Sequence, residues 1–316
     1  MLLSRITTLA LAAVPLSVLL SACSYMPQIS PSLSARLAPR SAVAPQEAMA
    51  AIKPREHMLF AVTEGNLLVS FNASTPGLLF SKTPLTGLAK GETLLGIDFR
   101  VAKGELFGLS SQGRLLRIHL ASGAVTAVGK AVPLPKGDEF GVDFNPTVDR
   151  LRVVNNTGAN LRLHPDTGAM VDGDPALPGP QPDQPLAYLP GDLLAGNGPD
   201  IVAAAYTYDQ VDEKITTEYA IDARLGYLVI QGSLGTAKPY VSPNTGVLQA
   251  VGPLNIEPFE RAALDISDLD NTAYLVTTRQ GARESRLYEV DLGSGQARLI
   301  GAIASDQPIR GMSIEP

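Results

Sequence analysis

Residues 141–168, GVDFNPTVDRLRVVNNTGANLRLHPDTG, hold one complete copy of a pattern that recurs along the chain. Gly141, Val142, Asp143 and Phe144 alternate around the aspartate. Asn145, Pro146, Thr147, Val148 and Asp149 carry turn chemistry, residues 151–154 read as a second strand, and Asn155, Asn156, Thr157 and Gly158 turn the chain again. Residues 161–164 make a third strand that runs into Pro165, Asp166, Thr167 and Gly168. Short strands joined by such turns predict an all-β chain.

Working outward from this copy, alignment on the glycine after the third strand superimposes RIHLASG (117–123), RLHPDTG (162–168), AIDARLG (220–226) and EVDLGSG (289–295), with a looser copy at 69–77. Alignment on the first strand gives one row: Gly96-Ile97-Asp98-Phe99, Gly141-Val142-Asp143-Phe144, Leu186-Ala187-Tyr188-Leu189, Ala263-Leu264-Asp265-Ile266 and Gly311-Met312-Ser313-Ile314. Its third positions, 98, 143, 188, 265 and 313, are 45, 45, 77 and 48 residues apart. Four strands in about 45 residues is the size of a propeller blade. The expected fold is therefore an all-β propeller of five four-stranded blades, or six if the long interval hides another. Extended loops at 209–214 and 235–244 are expected to fill that interval. The row's last member, within 309–314, has no strands after it, whereas 58–62, 67–71 and 78–82 lack a first strand. The C-terminal strand is predicted to join the N-terminal blade and close the ring, which removes free sheet edges.

Composition agrees. The 316 residues include 29 Gly and 25 Pro, only 18% are charged, and the formal charge is -6. That balance suits tight turns better than helices. The absence of any Lys/Arg run argues against nucleic acid as a partner, because phosphate binding needs clustered cations. The chain has no Trp, so the Trp-Asp blade signature is absent.

The N-terminus reads as an address. Arg5 precedes an apolar run over 6–20, too short to span a bilayer comfortably, and Leu20-Ser21-Ala22-Cys23 has the form of a bacterial lipobox. The chain's one cysteine stands at the lipidation position. Residues 1–22 are read as a lipoprotein signal peptide, Cys23 as the lipidated residue, 23–55 as a Pro/Ala/Ser-rich tether, and 56–316 as the propeller. Several acyl chains, each adding about 0.8 kcal/mol per buried CH₂, would anchor the protein to the membrane durably. Ser24 after the cysteine fits export to the outer membrane of a Gram-negative cell, with the domain facing the periplasm.

Candidate chemistry is sparse. His119 and His164 occupy the repeat position that holds Asp222 and Asp291 elsewhere, four residues before the turn glycine, so a hydrogen bond to the turn backbone accounts for them. His57, at the edge of the tether, offers no constellation. Asp98, Asp143 and Asp265 share one row, which a propeller would bring towards its axis. Oxygen ligands there can collect a hard cation such as calcium, or each carboxylate can accept hydrogen bonds from the adjacent blade. Asp172, Asp174, Asp183 and Asp192 run through a Pro/Gly-rich loop and read as solvated. No nucleophile elbow, zinc helix, phosphate loop or cysteine pair occurs, so no catalytic residue is assigned and no cofactor beyond that axial cation is expected.

The segment D-F-N-P-x-x-D-R-L-R-V-V at 143–154, A-A-A-Y-T at 203–207 and Y-x-I-D at 219–222 resemble the bacterial domain of unknown function 4394 family, over roughly 55–316. The resemblance implies a secreted repeat domain with no established activity. His119 and His164 depart from the family's usual Asp or Asn. The functional expectation is a lipid-anchored, monomeric cell-envelope propeller that binds or scaffolds a protein partner or small ligand. The alternative is an envelope hydrolase or lactonase-like enzyme with an axial metal ion.

Overall fold

The computed structural model describes residues 57–316; the signal segment, Cys23 and the tether up to residue 55 lie outside the described residues. Apart from two short 3-10 turns, Val101–Lys103 and Pro243–Thr245, the regular elements described are all strands. Strands β1 (Met58–Thr63), β2 (Leu67–Asn72) and β3 (Leu79–Pro84) belong to the first blade. The second blade is β4 (Leu94–Arg100), β5 (Glu105–Ser110), β6 (Leu115–Ile118) and β7 (Val125–Val128). The third holds β8 (Phe140–Asn145), β9 (Arg150–Asn155) and β10 (Asn160–Leu163). A two-residue strand, β11 (Ala187–Tyr188), precedes β12 (Ile201–Tyr206), β13 (Glu218–Asp222), β14 (Tyr227–Gln231) and β15 (Val247–Pro253) of the fourth. The fifth is β16 (Arg261–Ile266), β17 (Ala273–Thr278), β18 (Ser285–Val290) and β19 (Ala297–Ala302). Finally β20 (Ile309–Ile314) pairs antiparallel with β1, Phe60 opposite Ser313, and completes the first blade.

The protein is thus a five-bladed β-propeller closed by its C-terminal strand. Neighbouring blades stack face to face, and each of the five interfaces has its own apolar core. Between blades 2 and 3, for example, the Phe107 and Phe144 rings meet edge to face at 5.4 Å, both buried with Leu109, Leu151 and Val153 around them. Each such side chain contributes about 1.5–3 kcal/mol by leaving water. Along the axis the inner strands crowd together, and glycine is what permits it. A Cβ on Gly141 would lie 2.6 Å from the Ala204 nitrogen of the next blade, and one on Gly311 would lie 2.8 Å from the Ile97 nitrogen.

Two readings of the row need correction. The inner strand of blade 4 is β12, not the stretch around Ala187 and Tyr188. That stretch is β11, which pairs parallel with β15 at the outer edge, where the Tyr188 hydroxyl donates to Asp222 Oδ2 at 2.6 Å. Ala205 takes the fourth place in the axial row. In consequence Asp222 ends a second strand, not a third, so its likeness to His119, His164 and Asp291 is one of local turn chemistry. Blade 3 has three strands; after β10 a single bridge, Leu163 to Met170, stands where an outer strand would run. The 209–214 and 235–244 stretches are indeed loops, following β12 and β14.

Candidate functional site

Because Asp98, Asp143 and Asp265 stand at the same position on inner strands β4, β8 and β16, the ring brings them together: one carboxylate oxygen from each lies within 4.8 Å of the others. All three are buried. Their hydrogen bonds run from blade to blade. Phe144 N donates to Asp98 Oδ2 at 2.6 Å, Tyr206 N to Asp143 Oδ2 at 2.9 Å, and Ile314 N to Asp265 Oδ2 at 2.6 Å. Ser313 continues the circuit, accepting from Phe99 N at 3.0 Å and donating its hydroxyl to Asp98 Oδ1 at 2.7 Å. Ala205 has nothing to offer Ile266 N, which donates instead to Asp265 Oδ1 of its own blade.

These carboxyls have no cationic partner among the described residues, and burial raises all three above the ordinary range. Asp98 is pushed further by Asp265, and Asp143 by Asp98 and Asp265. Asp265 is raised to about 7, and half-buried Asp268 nearby to about 6, in both cases by burial. Between the inner strands, at Gly96, Gly141, Ala204 and Gly311, lies a pocket of about 10 Å³, at the lower limit of what holds one water. At the other ends of these strands Glu139 bonds Arg261 Nε at 3.0 Å and Arg310 Nη1 at 3.1 Å, and Arg261 also pairs with Glu64.

A second cluster lies between blades 3 and 4, around the side chain of Arg152, which is 2% exposed. Its Nε donates to Tyr206 Oη at 3.1 Å, Nη1 to Asn160 Oδ1 at 2.8 Å and Asp183 Oδ2 at 2.6 Å, and Nη2 to Asn244 Oδ1 at 2.7 Å. Arg162, directly across the β9–β10 ladder, holds Asp183 with a two-pronged contact at 2.7 Å on each oxygen. Glu218 lies 3.3 Å from Arg152 Nε and accepts the Tyr206 hydroxyl at 2.8 Å; burial nevertheless raises it to about 7. Two acceptors of this cluster, Glu218 Oε1 and Gln231 Oε1, meet no donor among the described residues.

Above the cluster opens a cleft of about 470 Å³. Its walls come from the β8–β9 turn and from the two blade-4 loops, and Thr147 Oγ1 ties the first to the second by donating to Glu213 O at 3.0 Å. Arg150, Arg152, Arg162 and Lys214 all line it, with Tyr206, Tyr240 and Asn244. Sequence reasoning missed this site. Asp183, read as solvated, is buried between two guanidiniums, and Arg152 passed as an ordinary strand residue. One clue was available: two arginines facing each other across a ladder repel unless an acid sits between them.

The 143–154 motif thereby acquires its physical content. Asp143 and Phe144 make the blade-to-blade bonds, and Asn145 Oδ1 accepts from Thr147 N and Val148 N to shape the turn. Asp149 adopts a left-handed conformation, φ 50°, and grips Arg100 of blade 2 through Nε at 2.8 Å; Asp166 takes Nη1 of the same arginine at 2.6 Å. The histidines support turns: His119 Nδ1 lies 2.9 Å from Ser122 Oγ, and His164 Nδ1 accepts from Asp166 N at 3.2 Å. His57, in contrast to its solitary appearance in sequence, lies 2.9 Å from Tyr274 Oη and 3.2 Å from Ser267 Oγ, pinning the start of the domain to blade 5.

No curated protein matches the chain. In fold it is similar to a chain of a nidogen/laminin complex, at 12% identity and a TM-score of 0.44, over 82% of this chain and 98% of that one. A protein of unknown function from Bacteroides thetaiotaomicron is similar at 14% identity and a TM-score of 0.43, over 79% and 58% of the two chains. A putative 6-phosphogluconolactonase from Bacteroides uniformis is similar at 17% identity and a TM-score of 0.37, over 83% and 72%. A family model described as a domain of unknown function, DUF4394, matches residues 67–313, and the chain belongs to that family.

Proposed function

We propose that this protein is a lipid-anchored binding module of the bacterial cell envelope: Cys23 carries the lipid, the Pro-rich tether spaces the domain from the outer membrane, and the propeller presents a periplasmic protein or small ligand with a binding face. The observation that carries binding is the lining of the cleft. The axial aspartates are engaged in joining blades, and the pocket between the inner strands holds about 10 Å³, whereas the cleft of about 470 Å³ between blades 3 and 4 is lined by four cations and no acid; hollows of about 640 Å³ on blade 5 and 510 Å³ beside Arg261 carry acids among their cations. Blades 3 and 4 share a packed core, and a cleft between packed elements is largely pre-formed for a ligand. Two experiments test the reading. Cys23→Ser should move the protein from the membrane fraction to the soluble one; continued membrane association would remove the anchor. A photo-crosslinking residue at Val148, 52% exposed on the cleft wall, should capture a partner or ligand in intact envelopes, and one at Leu299, 51% exposed on blade 5, should not. Equal capture at both positions would end the assignment of the cleft.

A second reading, a hydrolase or lactonase-like enzyme with an axial cation such as calcium, draws on the 4.8 Å convergence of Asp98, Asp143 and Asp265. Its support is electrostatic: three buried carboxyls facing one another favour either protons or a cation. Elemental analysis of the purified protein tests it, and absence of a stoichiometric divalent ion at pH 8 sinks it.

A further inference from the structure

We infer that the cleft between blades 3 and 4 is a site for a small organic anion, a carboxylate or phosphate ester, taken by Arg150, Arg162 and Lys214 above the buried Arg152. This inference deepens the binding-module reading and rests on it. The cleft carries an excess of positive charge. Four cations line the cleft, and the acids built into the cluster beneath them are two, Asp183 and Glu218. Asp183 is consumed by Arg152 and Arg162 together. Arg150 donates only to the carbonyls of Val148 and Asp149, and neither it nor Lys214 has a carboxylate partner among the described residues. Unpaired cations are ordinary on open surface, but here they converge on one cavity.

The cleft is also preorganised. Arg152 is held on four sides, by Tyr206, Asn160, Asp183 and Asn244, so its plane is fixed before any ligand arrives. Those contacts use four of the five N–H groups a guanidinium carries, and the remaining one is on Nη2. Arg162 places both its contacts on Asp183 through Nε and Nη2, which leaves Nη1 for a ligand. Fixed guanidinium forks match the planar or tetrahedral oxygens of carboxylate and phosphate better than a mobile lysine does. Beside these cations the cleft has an apolar side: Tyr240, half exposed, and Val148 and Val171. The cleft therefore fits a ligand with an anionic head and an apolar or ring-shaped body rather than an inorganic ion alone.

The test is isothermal titration calorimetry on the full chain purified in detergent, with citrate and benzoate as the carboxylate arm, phenyl phosphate as the phosphate arm, and glucose as the neutral control. At least one anion should bind tenfold or more tightly than glucose. The Arg150→Ala/Lys214→Ala variant, which alters only rim residues and should melt like the parent, should weaken that anion at least tenfold. The proposal is overturned if every anion binds no better than glucose, or if the double variant binds as the parent does. If all anions fail while the Val148 crosslink still captures a partner, the anion assignment falls and the binding-module reading stands. If both fail, both fall.

Discussion

The axis and the blade 3–4 cleft concentrate charge in opposite ways. At the axis three carboxyls meet with no cation beside them, and the ring tolerates this because each accepts hydrogen bonds from the backbone of a neighbouring blade and because protonation is available. In the cleft, Arg152 is buried with its acids beside it, but the cations outnumber the acids and line open space. The difference separates construction from reception. Groups whose hydrogen bonds are all used within the fold hold it together, and groups with donors left over face a partner.

The contrast breaks first at Arg152. Truncation in Arg152→Ala would leave Glu218 with no cation and Asp183 with Arg162 alone, and removing one partner of a buried ion cluster costs about 3–5 kcal/mol. Guanidinium chloride unfolding should show a loss of that size. Neutralising the acids at the same time, in Arg152→Met/Asp183→Asn/Glu218→Gln, should recover a large part of it. A triple variant as unstable as the single one would mean that Arg152 matters through packing and not charge.

Asp98 offers the matching test at the axis. Asp98→Ala leaves the buried Phe144 N–H without an acceptor, a cost of about 1–3 kcal/mol. Asp98→Asn keeps a carbonyl for Phe144 N and removes repulsion from Asp265, but sets its NH₂ where Oδ1 accepts from Phe99 N and the Ser313 hydroxyl, so its loss should be smaller than that of Asp98→Ala but not nil. This pair of variants also separates structure from metal chemistry. If a cation were resident, Asn would be nearly as damaging as Ala, and the loss would appear only with the cation present.

How much of this was legible in the residues differs between the two regions. The blade count and ring closure followed from the spacing of Gly96, Gly141 and Gly311 and of the polar residues two positions on. Those rows exist because each inner strand meets the same environment. Blade 4 escaped the pattern because its inner strand carries Ala203 and Ala205 in their place, and Tyr188 only imitates the spacing from the outer edge. The cleft was illegible for a different reason. Blade 3 supplies its arginines, but of its acids Asp183 comes from an irregular loop and Glu218 from β13, and Tyr206 and Asn244 come from two further blade-4 segments, so no repeat position announces it. Only the facing pair Arg152 and Arg162 hinted that a buried acid must exist.

Stability against pH should tilt in a direction set by the raised carboxyls. Asp98 and Asp143 titrate above their ordinary value when folded, Asp265 and Glu218 near 7, and Asp268 near 6. Between about pH 4 and 7 the folded chain thus holds more protons than the unfolded one, and unfolding free energy falls as pH rises through that interval. Glu92, held near 2 mainly by Arg114, works the other way, but its contribution is complete above about pH 5 and is lost only in stronger acid. Chemical denaturation should accordingly give a more stable protein at pH 5 than at pH 8. Asp98→Asn should flatten the slope. A flat profile in the parent, made steep by chelator, would instead reveal a cation in place of the protons.

The smallest effect is expected at the turns. His119 and Asp291 brace their turns in the same way. The histidine ring nitrogen lies within 3.3 Å of Ser122 N, and the aspartate oxygen accepts from Ser294 N at 2.7 Å. Both are exposed, and a side chain that caps an exposed turn is worth a few tenths of a kcal/mol to about 1 kcal/mol. His119→Asp should therefore leave stability within about 0.5 kcal/mol, whereas His119→Leu, which removes the acceptor, should cost more than the aspartate does. The same order is expected at His164, where Asp166 N is the donor. Thermal unfolding of the four variants decides it. If aspartate proved the more damaging substitution at either position, the imidazole would be acting through something other than its acceptor nitrogen, and the exchange of His for Asp between blades would need another physical reason.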